Sequence, residues 1–213
     1  LTLTWGTVAD TPELRVDDAQ VKEDGNVFVP VAATLTDRDG SEFLTLNVSG
    51  VPAGWILTGA GWAPSGPGSF TLVLAPGADY AGGFTLTPTT NSDVDLSGLQ
   101  VVAYSTEIAN GDTAATSAAI DVIVDAVADV PTINAANNSG NENTALAVNI
   151  AAALTDLDGS EAITGYRVTG VPDGFTFNKG SNAGGGVWNF APADIIGLTV
   201  TPPANYTGTL NLN

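Results

Sequence analysis

The sequence predicts an all-β fold built from tandem immunoglobulin-like, Greek-key β-sandwiches. Three observations carry that prediction. Apolar residues recur with a period of two: Val27, Val29, Val31, Ala33 and Leu35 alternate with outward positions. Short runs of this kind are separated by Gly, Pro, Asn and Asp, the punctuation of a sandwich and not of a helical domain. The pattern then repeats. Thr36-Asp37-Arg38-Asp39-Gly40-Ser41-Glu42 returns as Thr155-Asp156-Leu157-Asp158-Gly159-Ser160-Glu161, an offset of 156 − 37 = 119 residues.

Taken in order, strand A of the first repeat starts near Leu14, and Glu23-Asp24-Gly25 turns the chain into strand B, Asn26 to Leu35. The loop from B to C then carries Asp37, Asp39 and Glu42. Leu46-Val48, Phe70-Leu72-Leu74, Phe84-Leu86 and Val122-Val124 continue the strand pattern. Asn91 to Leu96 forms the E–F loop, with Asp93 and Asp95. Glu107 and Asp112 belong to the F–G loop, and strand G leaves through Asp125 and Asp129. In the second repeat Leu146, Val148, Ile150, Ala152 and Leu154 fall in register with the Val-rich strand of the first, so the Ala-rich run reads as strand rather than helix. Trp188-Phe190 and Leu198-Val200 follow. Gly50-Val51-Pro52 matches Gly170-Val171-Pro172 at an offset of 120, which places one extra residue ahead of the second motif; Gly165, as a bulge, is the best candidate.

The repeat phasing divides the chain into residues 1–9, the last strand of a preceding repeat; 10–128, a complete sandwich; and 129–213, a second sandwich incomplete at its C-terminal end. Leu1 to Trp5 corresponds to Ile120 to Val124, and Thr209 to Asn213 aligns with Leu99 to Ala103, about two strands short of closure. With no initiator Met, signal peptide or long apolar run, the chain reads as an internal piece of something longer.

Composition narrows the function classes. Five basic against 23 acidic residues give a net charge of −18, so the chain repels nucleic acid and anionic membranes and attracts cations. Only 13% of residues are charged and 44% are apolar, ample for packed cores and contrary to disorder. The absence of Cys and His excludes disulfides, the usual zinc sites, thiol catalysis and imidazole bases.

In a seven-stranded sandwich the A–B turn, the E–F loop and the end of strand G share one end, and the B–C loop lies at the other. Stacking two such repeats is expected to gather Glu23, Asp93, Asp95, Asp125, Asp129, Asp156, Asp158 and Glu161 at one junction. Asp10, Asp37, Asp39 and Glu42 form half of an equivalent junction, to which Glu107 and Asp112 add oxygens. Without cations such clusters repel: a pair of carboxylates at 4 Å costs about 4 kcal/mol at an effective dielectric of about 20. Calcium takes about 6–8 oxygens and tolerates irregular geometry, so Ca2+ is the expected cofactor. Glu142 matches Glu23 in the second repeat, but the E–F loop there, Pro203 to Gly208, has no acid, so weaker cation binding is expected at that end.

Other readings weigh less. Asp and Gly also populate plain polar turns, but both copies of this loop keep a third acid, Glu42 and Glu161. Asp17, Asp18 and Asp121 read as surface charge. Trp55 and Trp62 flank a Gly/Pro-rich segment and would suit a carbohydrate- or peptide-binding module, although packing explains them as well, since Phe175 replaces Trp55 in the second copy. Trp188 alternates with Phe190 as core. Carboxylate pairs can hydrolyse glycosides, but these acids recur once per repeat with no accompanying nucleophile motif, so the expectation is no enzyme.

Leu-Thr-Asp-x-Asp-Gly-Ser-Glu, Gly-Val-Pro-x-Gly, Trp188-Asn-Phe-Ala-Pro-Ala-Asp, Leu198-Thr-Val-Thr-Pro-Pro-Ala-Asn-Tyr-Thr-Gly and the closing Val-Ala-Asp-x-Pro together resemble the tandem extender repeats of bacterial RTX (repeats-in-toxin) adhesins. The resemblance covers nearly the whole chain. It implies cadherin-like, calcium-stiffened repeats of a large Gram-negative protein, exported by type I secretion and held extracellularly at the cell surface, where it projects a distal binding domain for adhesion and biofilm formation. Partners are then neighbouring repeats of a monomeric chain; any glycan or protein ligand belongs to other domains. The glycine-rich nonapeptides that name the family are absent here.

Overall fold

A computed structural model describes all 213 residues, Leu1–Asn213. The chain forms two compact units, Leu1–Val127 and Ala128–Asn213. Both are all-β, apart from a short 3-10 turn at Pro192–Ile195 in the second.

Unit 1 is a sandwich of ten strands: β1 (Glu13–Val16), β2 (Ala19–Lys22), β3 (Val27–Thr34), β4 (Glu42–Ser49), β5 (Ile56–Thr58), β6 (Ala63–Gly66), β7 (Ser69–Val73), β8 (Tyr80–Thr87), β9 (Leu96–Glu107) and β10 (Thr113–Asp125). One sheet runs β1-β3-β8-β5 and the other β2-β10-β9-β4-β7-β6. The expected seven strands gain two short ones, β5 and, within the Gly/Pro-rich segment, β6, and the expected strand A is split. Asp17-Asp18 interrupts it, so β1 pairs antiparallel with β3 while β2 crosses to pair parallel with β10. The Asp18 carboxylate accepts the Asp121 N–H at 2.9 Å and fixes the crossing.

The alternating pattern builds the core. Val29, Val31, Ala33 and Leu35 meet Leu44, Leu46, Val48, Phe84, Leu86, Leu99, Val101 and Ile120 between the sheets, all buried. Each such side chain contributes roughly 1.5–3 kcal/mol when fully removed from water. Pro30 sits in β3 just before pairing with β1 begins at Val31, where an open edge tolerates a residue without an N–H.

Unit 2 repeats the plan with shorter ladders. β11 (Thr132–Ala136) pairs β13 (Asn149–Ala153); β18 (Thr199–Thr201) lies between β12 (Leu146–Ala147) and β15 (Thr176–Phe177); β17 (Val187–Phe190) lies between β14 (Tyr166–Val168) and β16 (Ser181–Gly184). The Ala-rich run is strand, as its register requires. The core is Val168, Val171, Phe175, Phe177, Trp188, Phe190, Leu198 and Val200.

Two local expectations differ from the structure. Gly165 lies ahead of β14 and not within a strand, so it makes no bulge. Asn213 exchanges both backbone hydrogen bonds with Thr169, at 2.7 and 3.0 Å, as Gln100 pairs with Ser49 in unit 1. Asn213 therefore stands in the place of Gln100 and not of Ala103; Leu210 and Leu212 alternate over too few residues to set the register alone. Residues 1–9 form no strand within unit 1; the ladder expected for them is with a preceding repeat.

Candidate metal centre

The β3–β4 loop brings acids to the upper end of unit 1. Asp37 Oδ1 accepts the Asp39 N–H at 2.9 Å, and Asp39 Oδ1 accepts the Ser41 N–H at 2.7 Å, two consecutive side-chain turns. Hydrogen bonds from the Ser41 hydroxyl and N–H hold the Asp39 carboxyl below its usual range. Gly40 closes the loop at φ 89°, a conformation that favours glycine.

Glu42 begins β4 and is 1% exposed. Its Oε1 accepts the Asp10 N–H at 2.7 Å, while its Oε2 is buried with no hydrogen-bond partner. Burial pushes the Glu42 carboxyl above its usual range; the Asp10 N–H pulls it down, and the charges of Glu107, Asp10 and Asp37 push it further up.

Glu107 ends β9 and is directly opposite Glu42 in the β4–β9 ladder. It is 2% exposed, and its Oε2 also lacks a partner. The Ser41 hydroxyl reaches its Oε1 only at 3.5 Å. The turn after β9 is tied to the acidic loop by the Ile108 N–H on the Ser41 carbonyl at 2.9 Å. Asp112 in that turn accepts the Ala9 N–H at 3.1 Å. Sequence reasoning gave Glu107 only an accessory place. Its signal lies in the strand pairing, which no local motif reveals.

Arg38, in the acidic loop, forms a salt bridge with Asp79 at 2.9 Å. Buried charges are normally paired or bound to metal, and the donors here are all hard carboxylate oxygens, which suit calcium.

The lower end of unit 1 holds the other predicted acids. Glu23 is buried; its N–H donates to the Asp125 carbonyl at 2.9 Å, its Oε1 accepts the Val127 N–H, and its Oε2 has no partner. Asp95 accepts the Val124 N–H at 2.8 Å, Asp125 accepts Gln20 Nε2 at 2.8 Å, and Asp93 is half-buried in the loop before β9.

Unit 2 reproduces the upper loop. Asp156 Oδ1 accepts the Asp158 N–H at 2.9 Å, Asp158 Oδ1 accepts the Ser160 N–H at 2.8 Å, and Glu161 Oε1 accepts the Asp129 N–H. Glu161 Oε2 is buried and unpartnered, and Asp156 is buried. The hydroxyls of Thr36 and Thr155 donate to the carbonyls of Thr11 and Val130, each at 2.7 Å. Thus the strand entry, the double turn and the glutamate clasp all recur. Glu142, by contrast, is exposed where Glu23 is buried, since unit 2 forms no strand like β2.

Three of the four tryptophans serve the cores, and Trp5 is exposed. Trp62 is buried, packs edge-on against Phe84, and donates its Nε1–H to the Gly83 carbonyl at 3.1 Å. Trp55 is half-buried against the same core, and Trp188 lies among Phe177 and Phe190.

Fold and site together define a tandem β-sandwich protein whose repeated loops enclose carboxylates at the sandwich ends. No protein-family model matches the sequence, and no curated protein matches it. Solved structures similar to it include the non-cellulosomal cohesin from the archaeon Archaeoglobus fulgidus, at 12% identity and TM-score 0.34, covering 56% of this chain and 93% of the cohesin. Another is the third ScaC cohesin of Acetivibrio cellulolyticus, solved with the ScaB dockerin, at 13% identity and TM-score 0.33, covering 53% of this chain and 99% of that one. The Escherichia coli adhesin FdeC matches at 17% identity and TM-score 0.29, over 92% of this chain and 58% of its own. No helix is long and apolar enough to cross a membrane.

Proposed function

We propose that this chain is a calcium-stiffened extender segment of a bacterial surface adhesin, holding a distal binding domain away from the cell for adhesion and biofilm formation. One observation carries the reading. Glu42 and Glu161, at matching places in two repeated loops, each clasp a backbone N–H with one oxygen and bury the other without a partner. An unpartnered buried carboxylate oxygen is costly, and its recurrence in both loops supports a cation at each. Asp10, Asp37, Asp39 and Glu42 would hold calcium at the upper end of unit 1, and Asp129, Asp156, Asp158 and Glu161 at that of unit 2. Glu23, Asp93, Asp95 and Asp125 supply the acids of unit 1's lower end.

Bound calcium stabilises the folded state by mass action. Extracellular modules bind with Kd of about 0.1–1 mM, and at ten times Kd each site adds about 1.4 kcal/mol. The role is mechanical and has no catalytic step. Small-angle scattering of the full chain tests it: calcium gives a narrower distribution of lengths than chelator does. Identical profiles in the two conditions reject the stiffening role.

A further inference from the structure

We infer that Glu42 and Glu107 form a divalent-cation site contained within a single sandwich. This deepens the calcium reading above and rests on it. It adds Glu107 as a ligand, and both residues belong to unit 1.

Four observations lead there. Glu42 and Glu107 are ladder partners on adjacent antiparallel strands, where like charges directly opposite destabilise the pair. Both side chains are at least 98% enclosed, so water does little to screen them. Each buries an Oε2 atom with no hydrogen-bond partner. The nearby guanidinium of Arg38 is engaged by Asp79 and not by this pair. Two enclosed carboxylates with one open oxygen apiece fit an ion that accepts oxygen donors in irregular numbers, which favours calcium over magnesium, with its strict octahedron. The bound ion would tie the start of β4 to the end of β9, closing the two central strands of the larger sheet at the end where the acidic loop emerges. The other candidate occupant is a proton shared by the two carboxyls.

The test is a calcium titration, by calorimetry, of the full 213-residue chain after chelator treatment, repeated on Glu107→Gln, Glu42→Gln, the double variant and Asp17→Asn as an exposed control. The single variants are expected to lose one binding site, or to weaken it at least tenfold, with the double variant no worse than either single. The control should bind as the parent does. In chelator, Glu107→Gln should melt above the parent, because the substitution removes the repulsion. Glu107→Asp, which keeps the charge but shortens the reach, should lose calcium without that gain and serves if the Gln variant misfolds. If Glu107→Gln binds calcium with unchanged stoichiometry and affinity, this inference falls while the stiffening role stands on the remaining acids. If the parent binds no calcium at all, both fall. A chelated parent that becomes more stable on mild acidification and ignores calcium identifies the occupant as a proton and overturns the inference.

Discussion

Glu42 and Glu107 face each other across the β4–β9 ladder, 1% and 2% exposed, each with a carboxylate oxygen that nothing in the chain satisfies. Like charges directly opposite each other on an antiparallel pair destabilise it. The Glu42 clasp on a backbone N–H recurs at Glu161, so the clasp belongs to the repeat and not to one loop.

The turn that presents these acids depends on Gly40 and Gly159, at φ 89° and 105°. Replacing Gly40 by Ala is expected to cost about 1 kcal/mol through the left-handed backbone and to weaken calcium binding at the upper loop. Calorimetry of the variant beside Gly159→Ala checks this, each affecting its own unit.

Phe84 is fully buried and meets Trp62 edge-on, with ring centroids 5.5 Å apart. Phe84→Ala should cost about 3–5 kcal/mol, lost transfer energy plus the cavity left behind. Urea unfolding followed by tryptophan fluorescence reports it.

Gly83 has no room for a side chain: a Cβ would lie 2.2 Å from the Val29 carbonyl oxygen and 2.6 Å from the Phe28 ring. Gly83→Ala must therefore move backbone, and the same residue's carbonyl anchors the Trp62 indole. A loss of about 1–3 kcal/mol is expected, seen as a lowered Tm.

Asp121 fastens a bulge where β9 and β10 shift register between Ile120 and Val122. Its carboxylate accepts the Gly98 N–H at 2.8 Å and the Ser97 hydroxyl at 2.9 Å, and these bonds hold its carboxyl below the usual range, the backbone one most strongly. A depressed folded pKa adds stability above the unfolded value of about 3.9. That contribution is lost as pH falls through the lower folded value. Asp121→Asn should flatten the acid limb of the stability profile below about pH 4. A variant curve parallel to the parent's would remove Asp121 from the account.

Much of the fold is legible in the residues. The period of two places Val29, Val31, Ala33 and Leu35 inward, and the 119-residue echo marks the loops that close on Glu42 and Glu161. The rest is set by long-range pairing. Asp17-Asp18 divides a strand that reads as continuous, because the partner of each half lies elsewhere in the chain. Asp121 looks like surface charge until Gly98, 23 residues away, is seen to donate to it. Glu107 carries no motif at all; only the β4–β9 register sets it against Glu42. Asn213 likewise takes its place from a ladder pair with Thr169 and not from its neighbours.

The most direct measurement is the melting temperature of the full chain by differential scanning calorimetry, in EGTA and in millimolar calcium. Each site filled at ten times its Kd adds about 1.4 kcal/mol, which in a chain of this size raises Tm by roughly 3–6 °C. A calcium-dependent rise of that order or more, reversed by chelator, is the predicted result. A Tm unchanged by calcium and chelator alike contradicts the account.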